Sequence, residues 1–559
     1  MKSSSFLQNE AGFTTSISKG RDARSAARFR SLSVMLLIIG AGLRIGQYAI
    51  GAAFWHDELA LVRNIVEKPL RELLLTPLDY TQVAPPGFLL LEKAAITALG
   101  NNEYALRLFP LLCALISLPL FADLARRMLT PGAALLAFAL FSLAPTLIGF
   151  GSQVKQYSMD VVVALAMTAL TMRWWDRQGT SRGVSDTAFL GMAGFLAVWF
   201  SHTTVLVLAG LAVTLLVEAC YRWKHAVLRK LVPIVILWGA GALATLTVGS
   251  NMSASTYAYM QGYWAEGFMP VSMQSRADLL WLWRAFHGFF QNQLRYPLPP
   301  VVLLLMLFGT LTLVWRRRWH ALVVLAPLGV SLAASATRQY PFGDRVSLFL
   351  LPFILLLLAE GIDRVRQTVV AAWRPLGATL VVLAMLVPTY SLYAFYPSYP
   401  EQPMPEVLAY IKARRQPQDA VYVYHGAWHG VRYYGARYDL PVQAAVPGRC
   451  GDQRIILSDL EQFRGRTRVW VIISHVVGAL KQRETILGYL DTIGIRRDSI
   501  VTLDRARRPS SSAYLYDLSD SVRLRAASAE TYTLPPQGQG RDYPCVADIT
   551  TSLDRFSKR

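Results

Sequence analysis

Residues 131–149 read PGAALLAFALFSLAPTLIG and contain no charged side chain. A helix needs about 20 apolar residues to cross roughly 30 Å of hydrocarbon, so this stretch is long enough to span a bilayer. Two comparable runs, 229–249 and 345–362, carry few charges for their length. Soluble domains do not need several such runs. The sequence therefore predicts a polytopic α-helical membrane protein.

The composition of the whole chain agrees with this prediction. Hydrophobic residues make up 53% of the 559 residues and charged residues only 16%, which excludes a string of soluble globular domains. A net charge of +20 is compatible with nucleic-acid binding, because basic surfaces displace counterions from phosphates. The basic residues, however, cluster between apolar runs, as in cytoplasmic loops. No nucleic-acid partner is expected.

The basic clusters also predict how the chain threads through the membrane. A first cluster, Arg21 to Arg30, precedes the first apolar run and places the N-terminus in the cytoplasm. Five later clusters predict cytoplasmic turns: Arg126 and Arg127; Arg173, Arg177 and Arg182; Arg222, Lys224, Arg229 and Lys230; Arg316 to Arg318; and Arg364, Arg366 and Arg374. The run at 86–99 is short and charged, so a juxtamembrane or half-inserted helix is expected there.

About eleven crossings follow from this threading, and the odd number places the C-terminus outside. They are 31–53, 104–125, 131–149, 157–173, 186–200, 203–221, 229–249, 299–315, 320–337, 345–362 and 375–394. We expect three parts: a disordered cytoplasmic N-terminus at 1–30, a membrane domain at 31–394 and an extracytoplasmic domain at 395–559.

The C-terminal part is polar and mixed in pattern. Strand-like segments at 421–425, 469–473 and 513–518 alternate with helix-like segments at 404–415 and 477–490, which predicts a small α/β domain. An oxidising compartment would permit Cys450 and Cys545 to form a disulfide, but their spacing leaves two unpaired thiols equally open. The aromatic residues of 422–434 are candidates either for sugar stacking or for the domain core.

Acidic residues follow directly on the first predicted crossing, in the sequence FWHDE at 54–58. Ionisable groups next to the membrane cost free energy unless they have a role or a partner. Asp57 and Glu58 are therefore candidate catalytic or metal-binding carboxylates, and His56 is a candidate substrate contact. A partly shielded carboxylate can accept a proton from a hydroxyl nucleophile. The alternative is a solvated loop start.

Cations are predicted on the same outer face, against the trend of positive charge inside. Lys155 and Tyr157 belong to SQVKQY at 152–157, and Arg338 and Arg345 bracket RQYPFGDR between two later crossings. Such residues suit an anionic substrate at the membrane surface, because arginine grips phosphate with two hydrogen bonds. The alternatives are a snorkelling Lys155 and a salt bridge from Arg345 to Asp344. The proline-rich segment YTQVAPPG at 80–87 predicts a rigid loop over this region.

The order of these motifs resembles bacterial GT-C glycosyltransferases of the family 39 type, which include protein O-mannosyltransferases and the aminoarabinose transferase of lipid A. The resemblance rests on four segments within about 31–365: WHDE, VAPPGFLLLEK followed by NNEYALRLFP, SQVKQYSMD and YPFGDRVSLFLLP. It implies a GT-C-like membrane domain. The chain departs from the family where Lys155 replaces an arginine of an EARxY-like motif and Gln153 replaces its acidic residue, which puts a metal or charge role of that position in doubt.

The resemblance implies an inverting glycosyltransferase with a polyprenyl-phosphate sugar as donor. Its acceptor would be an extracytoplasmic glycan, lipid or protein, with membrane lipid as a further partner. Asp57 would deprotonate the acceptor hydroxyl, with Glu58 as its neighbour. Lys155, Arg345, Arg338, Tyr157 and His56 would bind substrate, and a divalent metal is left open. The expected location is the bacterial cytoplasmic membrane, with the site facing the periplasm.

A lipid or sugar transporter of the cell envelope is the alternative reading. Transporters are commonly built from paired halves with broken helices near the midplane. The sequence shows no such symmetry, and its unexpected charges all fall on one side of the predicted membrane. A one-sided site favours an enzyme over a transporter.

Overall fold

The computed structural model describes residues 4–535 except 179–182, 246, 248–251, 273, 295, 297, 373, 397–401, 477–480 and 505–506. The helices up to residue 395 are α1 (Ser4–Ala49), α2 (His56–Glu67), α3 (Leu70–Leu75), α4 (Pro86–Leu99), α5 (Glu103–Met128), α6 (Pro131–Leu143), α7 (Pro145–Phe150), α8 (Tyr157–Asp176), α9 (Gly183–Phe200), α10 (Thr204–Tyr221), α11 (His225–Ala244), α12 (Ala254–Tyr263), α13 (Arg276–Phe289), α14 (Pro299–Arg316), α15 (Arg318–Ala336), α16 (Leu351–Ala372) and α17 (Arg374–Phe395).

The chain is a multi-pass helical membrane protein, as predicted. In the described residues, seven helices are long and apolar enough to cross a membrane: Ala27–Ala49, Glu103–Met128, Thr204–Tyr221, His225–Ala244, Pro299–Arg316, Arg318–Ala336 and Asp344–Val369. Shorter apolar helices lie at Pro131–Leu143, Ser185–Phe200 and Thr379–Ala394. With α8, these segments coincide with the eleven predicted crossings. A separate helix, α4, is present at Pro86–Leu99, where the sequence predicts a juxtamembrane or half-inserted helix.

The N-terminal residues differ from the prediction of disorder at 1–30. Helix α1 begins at Ser4 and continues without a break into the first apolar run. Alanine and arginine are frequent between residues 21 and 30, and both have high helix propensity. Helix α1 therefore begins well before the apolar run, in a polar segment whose composition does not by itself predict a helix.

The centre of the membrane domain is the segment Asp344–Val369, whose apolar 18-residue stretch is 94% buried inside the protein. It packs against α14, where Gly361 and Gly309 face each other. A Cβ atom on either glycine would overlap the backbone of the other helix. Small residues allow such a close approach of two membrane helices. This contact fixes α16, and the predicted site residue Arg345 lies in the short segment that leads into this helix.

The C-terminal part forms an α/β domain, as predicted. Its strands are β1 (Ala420–Val423), β2 (Val446–Pro447), β3 (Val469–Ile473), β4 (Ile495–Leu503) and β5 (Pro509–Asp517), and its helices are α18 (Met404–Arg414), α19 (Trp428–Tyr434), α20 (Gln453–Glu461), α21 (Gln482–Ile493) and α22 (Ser521–Leu524). The sheet order is β2-β1-β3-β5-β4. Strand β1 is parallel to both β2 and β3, while β5 is antiparallel to β3 and β4.

One face of this sheet shares its hydrophobic core with residues 54–103, the first outer loop of the predicted threading. Val421 and Val423 of β1 pack in a cluster with Val431 of α19 and with Leu59 and Val62 of α2. The opposite face packs on α20 and α21. The α/β domain is thus joined to the membrane part by buried apolar contacts, and its position over the outer loop is set by the same hydrophobic burial that folds it.

Candidate functional site

A cavity of about 950 Å³ lies between the outer ends of the membrane helices and the α/β domain. Its walls come from the first outer loop, the segment before α8, the segment around α12, the segment before α16 and the loops of the α/β domain. The residues that line the cavity include Trp55, His56, Asp57, Tyr80, Gln82, Lys155, Tyr157, Trp264, Arg345, His425, His429, Asp452 and His475. The cavity therefore joins the outer-face motifs that are dispersed in the sequence.

Asp57 is held between two cations in this cavity. Its Oδ1 lies 3.0 Å from Lys155 Nζ, and its Oδ2 lies 3.3 Å from Arg345 Nη1. Burial acts to raise the pKa of Asp57, but the opposing charges of Lys155 and Arg345 outweigh it and hold that pKa well below its usual range. Asp57 is an ionised carboxylate with both oxygens occupied.

Gln82 hydrogen-bonds both partners of the ion pair between Lys155 and Asp57. Its Oε1 accepts a hydrogen bond of 2.7 Å from Lys155 Nζ, and its Nε2 donates one of 3.4 Å to Asp57 Oδ1. Gln82 lies in the proline-containing segment that the sequence predicts to be rigid. Tyr80 and Thr81 have positive φ values of 61° and 53°, so the backbone there turns sharply before the prolines. Sequence reasoning singled out the segment but not Gln82 itself.

Glu58 is adjacent to Asp57 but is placed differently. Its side chain is 1% exposed and does not line the cavity. Arg107 Nη2 donates to its Oε2 at 2.8 Å, and the backbone N–H of Val154 donates to its Oε1 at 2.8 Å. Consecutive helical residues point about 100° apart, which separates the two carboxylates. Glu58 thus holds the segment that carries Lys155.

Arg345 lies close to two aromatic rings. Its guanidinium carbon is 5.9 Å from the ring centres of both Trp55 and Trp264, within the range of a cation–π contact. Its Nε atom is buried without a hydrogen-bond partner among the described residues. Tyr157 also lines the cavity. The salt bridge of Arg345 is made to Asp57, whereas the alternative interpretation of the sequence predicts a salt bridge to Asp344.

Arg338, like Glu58, is a predicted site residue that does not line the cavity. It is exposed, lies in the left-handed region with φ 57°, and stacks at 5.3 Å on Phe268. Of the seven predicted residues, five line the cavity: His56, Asp57, Lys155, Tyr157 and Arg345.

Histidines of the α/β domain complete the wall beside His56. The rings of His56 and His475 are stacked, with centres 3.9 Å apart and planes 4° apart, and His429 meets His56 edge to face at 4.9 Å. His425 lines the cavity close by. Sequence reasoning missed the three histidines of the tail, since lone histidines in a soluble domain carry no signal that they approach a membrane-proximal loop.

The aromatic residues of the tail lie mainly in the core. Tyr422, Tyr424, Trp428 and Tyr434 are at most 3% exposed. Tyr433 is the more accessible residue, and its hydroxyl donates to Asn101 at 2.7 Å. The core interpretation of these side chains is therefore correct.

The described residues offer no ligand set for a divalent metal. No group of three or more histidine, cysteine, aspartate or glutamate side chains in that part of the chain is arranged to hold a metal ion. Both carboxylate oxygens of Asp57 are paired with the cations Lys155 and Arg345. Cys450, at the cavity wall, is disulfide-bonded, whereas Cys113 and Cys220 are free. Cys545 lies outside the described residues.

Comparison with known proteins gives similarity in solved structures only. No family model matches the chain, and no curated protein matches it. The ArnT of Cupriavidus metallidurans bound to undecaprenyl phosphate is similar with a TM-score of 0.48 and 12% identity, over 89% of this chain and 98% of that chain. The oligosaccharyltransferase AglB of Archaeoglobus fulgidus, in complex with an inhibitory peptide and a dolichol-phosphate, gives 0.47 and 13%, over 89% and 75%. Similarity at this level does not decide the function of the chain.

Proposed function

We propose that this protein is a membrane glycosyltransferase that moves a sugar from a polyprenyl-phosphate donor to an extracytoplasmic acceptor with inversion. The observation that carries the proposal is the Asp57 carboxylate held between Lys155 and Arg345 in one cavity. A base and two cations are the groups that transfer from a sugar phosphate needs, because the phosphate already activates the sugar. We further propose that the membrane is the bacterial cytoplasmic membrane and that the cavity faces the periplasm.

The position of the cations suits a phosphate attached to a lipid. Arg345 lies at the beginning of the apolar segment Asp344–Val369, and Lys155 lies two residues before α8. A lipid-linked phosphate sits at the same depth as such helix ends. The two cations together balance the Asp57 carboxylate and the single negative charge of a sugar phosphodiester. The donor-bound cavity is then electrically neutral at its centre.

The reaction follows from this charge balance. The acceptor oxygen forms a bond to the anomeric carbon, while the bond from that carbon to the phosphate oxygen breaks and leaves its electron pair on the phosphate. Lys155 and Arg345 stabilise the charge that develops on the phosphate. The phosphate competes with Asp57 for these cations, so the carboxylate is freed to accept the proton of the acceptor hydroxyl.

The test uses full-length protein in nanodiscs with labelled polyprenyl-phosphate sugars. Wild type is expected to release the label to acceptor or water, and Asp57→Asn to lower this rate by at least about 100-fold, the usual contribution of a general base. Asp79→Asn is the matched control, since Asp79 is a half-exposed carboxylate of the same loop that does not line the cavity.

Two results would contradict the proposal. Substantial turnover by Asp57→Asn would remove the base assignment. Failure of wild type to cleave any donor, combined with movement of intact donor across a proteoliposome membrane, would favour the transporter alternative.

A further inference from the structure

The imidazoles of the α/β domain lie at the ligand-binding position of its sheet. His425 follows the carboxyl end of β1, and His475 follows the carboxyl end of the parallel neighbour β3. From β1 the chain crosses by α19 to β2 on one side, then by α20 to β3 on the other side of β1. Because α19 and α20 cover opposite faces, β1 and β3 form a topological switch point. Ligands of open α/β sheets bind in the crevice outside such strand ends.

The backbone at this crevice is also unusual. His475 has a φ of 52°, in the left-handed region that residues other than glycine rarely occupy. Strained residues of this kind concentrate at ligand-binding positions, where the surrounding structure holds them. The strain presents the His475 ring to the cavity, stacked on His56.

Hydrogen-bond partners determine which nitrogen of His56 and of His475 carries the proton. Nδ1 of His56 lies 3.3 Å from the carbonyl oxygen of Gly426, which only accepts, so this Nδ1 is the donor. Gln402 Oε1 accepts from the His56 backbone N–H, which turns Gln402 Nε2 toward His475 Nδ1 at 2.7 Å. An amide nitrogen only donates, so His475 Nδ1 is the acceptor. Nε2 is left as an acceptor on His56 and as a donor on His475.

The same reasoning applies to His429. Its Nδ1 lies 2.8 Å from Arg63 Nη1, and a guanidinium only donates. Nε2 of His429 is therefore protonated and is a hydrogen-bond donor. Burial lowers the pKa of His429 well below its usual value, and desolvation lowers that of His56 to about 4 and that of His475 to about 3. At neutral pH these three rings are uncharged.

We propose that His56, His429 and His475 form the acceptor subsite of the proposed transferase, and that the acceptor is an uncharged, hydroxyl-rich glycan. Each hydroxyl both donates and accepts, which matches one fixed Nε2 acceptor and two fixed Nε2 donors on rigid rings. The ring of Tyr80 meets His429 edge to face at 4.7 Å, stacks on the Arg63 guanidinium and also lines the cavity. This inference rests on the proposed function.

The charges of the cavity support a neutral acceptor over an anionic one. His56 contacts the α/β domain, whereas its neighbour Asp57 contacts the cations Lys155 and Arg345. The cations are thus engaged by Asp57 or by the donor phosphate. The loop of Asp452 also lines the cavity and adds a negative charge on the side of the α/β domain. A phosphorylated acceptor would find no free cation there among the described residues.

The experiment measures glycan binding to full-length protein in nanodiscs by saturation-transfer NMR, with maltotetraose and mannotetraose as neutral probes. Phosphorylated mannotetraose and a peptide rich in serine and threonine are the competing probes. We expect a neutral probe to bind, and His429→Leu and His475→Leu each to weaken its binding about tenfold or more. His475→Gln is expected to restore binding in part, because its amide N–H replaces the Nε2 donor. His225→Leu, at an exposed position of α11, is the control.

The outcomes separate this inference from the proposed function. Wild-type protein that cleaves donor with water as acceptor but binds no neutral glycan would overturn the subsite alone. Tighter binding of the phosphorylated probe or of the peptide, or unchanged glycan binding in both leucine variants, would also overturn it. Glycan binding without donor cleavage by wild type would keep the subsite and contradict the proposed function.

Discussion

The two halves of the cavity differ in how their polar groups are held. In the membrane-side half, Asp57, Lys155 and Arg345 are charged and paired with one another. In the half formed with the α/β domain, His56, His429 and His475 are uncharged, and their orientation is fixed by hydrogen bonds. A charged half suits a ligand that displaces ion pairs, and a neutral half suits one that adds hydrogen bonds. Each half thus favours a different substrate chemistry.

The boundary between the halves lies at the first turn of α2, which carries His56, Asp57 and Glu58. Successive helical residues point in different directions. His56 therefore contacts the α/β domain, Asp57 contacts the cations, and Glu58 points into the protein interior. The acidic residues also lie at the helix N-terminus, where the helix dipole favours negative charge. One helical turn therefore positions both halves.

The largest effect on stability is expected from Glu58→Gln. Removal of one partner from a buried ion pair costs about 3 to 5 kcal/mol, because the other charge is left uncompensated. Arg107, which is 5% exposed, would be that charge. We expect a marked fall of the thermal unfolding temperature in nanodiscs, with Glu72→Gln, an exposed residue of the same loop, as the control. A stable but inactive Glu58→Gln would instead give Glu58 a direct catalytic role.

The next largest effect is expected on catalysis, from Arg345→Gln and Lys155→Met. Loss of one group that stabilises developing charge typically costs about 100-fold or more in rate. We expect such a loss in donor cleavage together with weaker binding of polyprenyl phosphate, measured by quenching of tryptophan fluorescence. Arg338→Gln, outside the cavity, should change either quantity less than about threefold. Equal losses in Arg338→Gln and Arg345→Gln would show that the charged half extends beyond the cavity.

Acidification tests the neutral half. The pKa of His56 is lowered to about 4 by desolvation and that of His475 to about 3, against about 6.5 in an unfolded chain. Between pH about 6.5 and about 4 the unfolded chain therefore binds protons that the folded chain does not, so the free energy of unfolding decreases as the pH falls. The charged neighbours of this cluster are Asp57, Arg63, Lys155 and Arg432.

The readout for acidification is hydrogen exchange at the contact between α2 and the α/β domain, followed from pH 7 downward. We expect the protection factor, which is the intrinsic exchange rate at a given pH divided by the observed rate, to fall below about pH 6 in wild type. A flatter profile is expected in His475→Gln, because glutamine does not titrate. Identical profiles in the two proteins would contradict the neutral state assigned to His475.

The sequence predicts the charged half better than the neutral half. Lys155 and Arg345 stand out because they are basic residues on the outer face, where the positive-inside bias predicts few. Asp57 stands out because it follows a membrane helix directly. Each of these signals is local in sequence, so no tertiary structure is needed to find them.

The neutral half could not be predicted, because it depends on contacts across more than 300 residues. His429 and His475 reach His56 only when the core that contains Val431 and Leu59 has formed. The sequence also could not show that Asp57 faces the cavity while Glu58 is buried. The burial of Glu58 depends on its ion pair with Arg107, which lies in another helix. Arg338 shows that the local signal can also mislead. It is a basic residue on the predicted outer face, yet it does not line the cavity.

The smallest effect is expected from Gln82→Ala, at the junction of the two ion pairs. Gln82 is uncharged and hydrogen-bonds both Lys155 and Asp57, so its removal costs about 1 kcal/mol, or roughly a fivefold decrease in rate. Its loss removes no charge but lets Lys155 move, so the Michaelis constant for the donor should rise more than the turnover number falls. Gln178→Ala, at the end of α8 far from the cavity lining, is the control. If the turnover number alone fell, Gln82 would act on the reacting groups rather than on the position of Lys155.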